Sequence, residues 1–138
     1  MRSIPFLLLA CLLAACGEGA PVATAPAGNQ DWILERAATI GMLTRAAFVC
    51  GIALPTQVQD RAARIEAQAL RIREGQGGLA ARDAFLHALQ PPDFDRHRRG
   101  RDRAEWCNAR RAEIARMDAM LSGPEGAALA QQAEAAQP

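Results

Sequence analysis

The sequence predicts an all-α fold: a small antiparallel bundle of about four helices, stapled by a disulfide. Three observations predict it. Val58, Ala62, Ile65, Ala69 and Ile72 recur at the spacing of one buried helix seam. No segment alternates apolar and polar residues over a β-branched run, so strands are not expected. Cys50 and Cys107 then form an even pair in the body of the chain, on apolar faces of two different predicted helices.

The chain opens Met1-Arg2-Ser3, followed by an apolar stretch from Ile4 to Ala15. A cationic start, a short apolar core and small residues at its end are the parts of a secretory signal. A membrane-spanning helix needs roughly 20 apolar residues, more than this stretch holds. A signal peptidase cut after Ala15 is a closer rival, though Leu13 is bulky for the position three before that cut. Cys11 also follows Leu-Leu-Ala, but behind a shorter apolar run. The ending Leu13-Ala14-Ala15-Cys16 resembles the lipobox of bacterial lipoproteins. That resemblance implies a signal peptide over 1–15 and a diacylglycerol on Cys16, often joined by an N-acyl chain. Each buried CH₂ adds about 0.8 kcal/mol of membrane affinity, so two or three chains anchor a protein firmly. Gly17, where enteric lipoproteins of the inner membrane carry Asp, implies the outer membrane, with the domain facing the periplasm.

Residues 16–30 comprise the lipidated Cys and a stretch rich in Gly, Ala and Pro with no apolar period. As a flexible coil this tether would reach roughly 20 Å. The helical domain is expected over 31–121. A first helix runs from about Asp31 to Cys50, with Ile33, Ile40, Leu43, Ala47 and Cys50 on one face, Trp32 and Phe48 at its margins, and Gly51 as the stop. Pro55 ends what precedes it, and Thr56 to Gln59 has the form of a capping box. The second helix reaches about Glu74, with Arg64 and Arg71 opposite its seam and Arg61, Glu66 and Arg73 beside it. Gly75 to Gly78 breaks the chain before a third helix, Leu79 to Leu89, with Phe85, Leu86 and Leu89 as its apolar residues.

After Pro91-Pro92, Asp93 is the candidate N-cap for a fourth helix from about Phe94 to Leu121, with Gly100 as a weak point or a break. Ala104, Cys107, Ile114, Met117 and Leu121 share its inner face, bordered by Trp106. Ser122-Gly123-Pro124 stops it, and the tail over 122–138, rich in Ala and Gln, is expected to be disordered. Ala-rich seams bury little area, so a covalent staple is useful in so thin a core. Closing the loop between Cys50 and Cys107 is worth about 4 kcal/mol in chain-entropy terms. The alternative use of these cysteines is metal binding with His87 and His97. That set lacks the close ligand spacing of a zinc site, and no metal or other cofactor is expected.

The precursor carries 16 basic and 15 acidic residues, and removing Arg2 with the signal leaves 15 of each. A neutral domain is not drawn to nucleic acid by its net charge. Every basic residue is Arg, which tempers the weight given to any single Arg cluster. The densest cluster is Arg96, Arg98, Arg99, Arg101 and Arg103. It is a candidate contact for an anionic lipid or an acidic envelope protein. Its plainer reading is a solvated helix start whose charge is offset by Asp93, Asp95, Asp102 and Glu105. His87 and His97 lie near no recognisable Ser or Cys nucleophile. Glu105 and Glu113 have Arg neighbours at helical spacing, and Asp118 alone makes no dyad. Gly75-Gln76-Gly77-Gly78 lacks the Lys-Ser/Thr ending of a phosphate loop.

With no catalytic constellation in view, the expected role is a non-catalytic binding or accessory module of the cell envelope, held at the membrane through Cys16. A periplasmic stress or holdase-type chaperone is the alternative, on no more than size and a single bridge. A small envelope enzyme comes third.

Overall fold

The computed structural model describes residues 28–136. The expected signal peptide over 1–15, Cys16 and most of the expected tether lie outside the described residues. The described residues form four α-helices: α1 (Gly28–Val49), α2 (Thr56–Ala88), α3 (Arg101–Ser122) and α4 (Pro124–Ala135), with a 3₁₀ turn at Arg96–Arg98 before α3. There is no strand among the described residues, and none of the helices is long and apolar enough to cross a membrane. The architecture is the all-α bundle that the sequence predicts, but its four helices are not the four expected.

Three boundaries differ. The helix begins at Gly28, so the last residues assigned to the tether belong to α1. The glycine cluster does not separate two helices with a loop. Helical hydrogen bonding continues through it to Ala88, and only Gly77 (φ −154°) and Gly78 (φ 67°) leave helical geometry, giving a kink. Gly78 takes a positive φ that a side chain would resist. Gly100, expected as a weak point or a break, is a break, and the helix starts after it. Gly100 is the N-cap of α3 at φ 78°, and Arg99 before it is also left-handed at φ 50°. Two successive left-handed residues cannot continue a right-handed helix.

The largest correction concerns the tail. Residues 124–135 form α4, with Pro124 at its first turn, where a missing N–H costs nothing. Leu129, Ala130, Ala133 and Ala136 are buried. Arg64 and Arg71 therefore do not simply face solvent across from the α2 seam. The Arg64 guanidinium grips Glu134 of α4 through two 2.6 Å bonds. Gln68, the one buried polar residue among those described, donates to the carbonyl of Ala136 and accepts from Arg71. Arg61 donates to the carbonyls of Leu121 and Gly123, satisfying the end of α3.

Two expected caps are replaced. Thr56 and Gln59 form no capping box; Pro55 is the N-cap, and the Gln59 amide donates back to the Leu54 carbonyl at 2.8 Å. Asp95, not Asp93, caps the 3₁₀ turn, accepting from the His97 N–H at 2.8 Å.

The core agrees closely with the periodicity. Ile33, Ile40, Leu43 and Ala47 of α1, the whole seam from Val58 to Ile72, and Ile114, Met117 and Leu121 of α3 are all buried. Ala104 is the exception on α3, being exposed. Packing α1 against α2 and α3, with α4 against α2 and α3, closes the bundle. The Cys50 and Cys107 sulfurs are 2.00 Å apart with Cα atoms 5.6 Å apart, joining the end of α1 to the first half of α3.

Candidate functional site

A groove of about 870 Å³ lies between the C-terminal half of α1, the 52–54 connection and the first half of α2, with Gln90 and Pro91 also in its lining. Its wall is aliphatic: Ala47, Ile52 and Leu54 on one side, Ala62, Ala63, Ala67 and Leu70 on the other. Small residues make the hollow, because alanines on facing helices leave the space a Leu or Phe would fill. Phe48 stands at its rim, 87% exposed, the most exposed large apolar side chain of the described residues. Helical geometry explains this exposure. Phe48 follows Ala46 and Ala47, both buried, and its turn of α1 has no partner helix on that side.

Arg45 and Glu66 are the charged residues of the groove, and each holds the other. Both Arg45 Nη atoms donate to the Glu66 carboxylate at 2.8 Å, and Nη1 also donates to the Gly41 carbonyl at 3.0 Å. Gly41 permits this approach, since a Cβ there would lie 2.8 Å from both Glu66 Oε2 and Leu89 Cδ1. The side chains are 25% and 18% exposed. The bond to Glu66 raises the Arg45 pKa further above its ordinary value, against the opposing effect of partial burial. A bidentate pair in which both members are already partnered is poorly placed to move a proton.

A second, smaller hollow of about 590 Å³ lies between α1 and α3 and includes Trp32, Met42, Met117 and Met120. A third, of about 340 Å³, lies beside the disulfide and includes Arg103, Asn108 and Arg111.

The arginines singled out by the sequence do not line one helix. Arg96 and Arg98 sit in the 3₁₀ turn, Arg99 in the left-handed link, and Arg101 and Arg103 in the first turn of α3. All are exposed. Arg98 is engaged by Glu105 at 3.2 Å, so Glu105 pairs with the turn and not with Arg101. His87 and His97 are exposed, on the last turn of α2 and in the 3₁₀ turn. Asp118 accepts from the Ser122 hydroxyl at 3.3 Å. Among the described residues no three His, Cys, Asp or Glu side chains group closely enough to hold a metal ion.

Sequence reasoning missed the groove and its ion pair. Arg45 and Glu66 are 21 residues apart on different helices, and no local pattern announces them. The comparisons with known proteins gave no matching family, no matching curated protein and no matching solved structure.

Proposed function

We propose that this chain is a bacterial cell-envelope lipoprotein, anchored through lipid on Cys16, whose helical domain binds a partner without turning it over. The outer membrane, with the domain on the periplasmic side, is the compartment that Gly17 favours. The observation that carries the binding role is the groove beside Phe48: an aliphatic hollow whose two charges already neutralise each other. Such a surface gains free energy by excluding water from an apolar group, at about 25 cal/mol per Å² buried. It offers a reacting bond neither a free nucleophile nor an unpaired acid.

The test is photo-crosslinking in native membranes with a reactive residue in place of Ala63, which is exposed in the groove wall. The expected result is a single stoichiometric adduct that Phe48→Asp abolishes without lowering the melting temperature. Adducts with many unrelated proteins, increasing on acidification, would replace this reading with a holdase. Turnover of a substrate by the purified protein, lost in folded His87→Gln or His97→Gln, would replace it with an enzyme.

A further inference from the structure

The hollow beside the disulfide has a different character from the groove. Gly100, Arg103, Cys107, Asn108 and Arg111 follow one another along a single strip of α3, and Cys50 closes the hollow from α1. Arg103 and Arg111 stand four residues to either side of Cys107, each about 6 Å from it along the helix axis. Both are exposed, as is Asn108 between them. No carboxylate lines this hollow. The acids nearest in sequence lie outside it: Asp102 accepts from the N–H groups of Asp95 at 2.5 Å and Arg103 at 2.8 Å, Glu105 is engaged by Arg98, and Glu113 lines the separate hollow between α1 and α3. Among the described residues neither Arg103 nor Arg111 has an ion-pair partner. Two guanidinium groups with no carboxylate between them, and a primary amide beside them, form a donor set suited to the oxygens of a phosphoryl group.

We infer that Arg103, Asn108 and Arg111 form a phosphoryl-binding site, with the Cys50–Cys107 bond as its uncharged floor. The inference rests on the binding role proposed above and names the chemistry of a second contact. Because the mature chain has as many acids as bases, attraction for phosphate here is a local property of this strip and not of net charge. The strip keeps Arg103 of the cluster that the sequence marks, adds Arg111, and leaves out Arg98, which Glu105 holds.

The mature chain carrying Cys16→Ser removes the lipid from the measurement. It is titrated with inorganic phosphate while the Nε–H resonances of Arg103 and Arg111 are followed, and it is sedimented with phosphatidylcholine vesicles with and without phosphatidylglycerol. Saturable shifts with phosphate but no gain on the anionic vesicles identify a free phosphate compound as the ligand. About tenfold greater binding to the anionic vesicles identifies a lipid headgroup. In either case Arg103→Gln/Arg111→Gln should reduce binding about tenfold, and Arg98→Gln/Arg116→Gln, which changes the net charge equally, should leave it within about twofold. Equal losses in both double variants, or no shift and no vesicle binding at all, would overturn the site. Neither outcome touches the Ala63 crosslink, which reports the groove separately.

Discussion

Replacing Gly126 by alanine adds one methyl group in the first turn of α4, and the sign of its effect depends on whether that helix is docked. On a free, disordered tail the change is neutral, and in an isolated helix it is favourable by about 1 kcal/mol, because alanine restricts the unfolded chain and has the better propensity. In the docked helix the new Cβ would lie 2.5 Å from Leu121 Cα, 2.7 Å from its carbonyl oxygen and 2.8 Å from its carbonyl carbon. All three are backbone atoms of α3, so no rotamer change relieves the contact. Overpacking of this kind costs about 1–3 kcal/mol. Offset by the propensity gain, the net effect is a loss of about 1 kcal/mol, or roughly 4–8 °C in melting temperature for a domain of this size. Thermal unfolding followed by circular dichroism measures it directly. An unchanged or higher melting temperature for Gly126→Ala would refute the docking of α4 on the end of α3.

Two further outcomes follow from the same contacts. Cys50→Ser/Cys107→Ser opens a bridge spanning 57 residues and should lower unfolding free energy by about 4 kcal/mol in chemical denaturation; an unchanged midpoint would show that the staple adds nothing. The Arg64 hydrogen bonds hold the Glu134 carboxyl below its ordinary value of 4.5, so the pair stabilises above that pH and is lost as pH falls through the lowered value. The stability difference between the wild-type chain and Glu134→Gln should therefore be level above about pH 4.5 and close below it, and should be small and salt-sensitive at such an exposed site. A difference that widens in acid would contradict the pairing.

The elements legible in the sequence are those with large aliphatic residues at helical spacing. The seam from Val58 to Ile72 and the inner faces of α1 and α3 needed only periodicity, because burying Ile, Leu and Val is what stabilises them. Gln68 was not legible: a polar residue beside the seam becomes buried only because the Ala136 carbonyl and Arg71 satisfy it. The tail was misread for a related reason. Leu129, Ala130, Ala133 and Ala136 have helical spacing, but methyl groups give a faint apolar signal, and their burial depends on the packing of α4 against α2 and α3. The glycine cluster misled in the opposite direction, since solvent-exposed glycines tolerate helix at a modest cost and only two of them bend it.

The candidate sites divide in the same way. The cysteine pair is legible from its even number in the body of the chain and from the apolar helix faces that carry it. The groove was not, because it arises where alanines of two helices face each other and where Gly41 lets Arg45 reach Glu66. The arginine cluster was visible as composition. Its division into an Arg98 engaged by Glu105 and an Arg103 without an ion-pair partner among the described residues depends on the turn at Arg99 and Gly100, whose left-handed backbone no spacing rule foretells.

The central claim, a lipid-anchored domain stapled in an oxidising compartment, is tested most directly by mass spectrometry of the protein extracted from its own membranes without reductant and alkylated before digestion. The account predicts an N-terminal peptide beginning at Cys16 with added diacylglycerol, and a linked pair of peptides containing Cys50 and Cys107. A mature protein with an unmodified Cys16 thiol, or with Cys50 and Cys107 both alkylated, would contradict it.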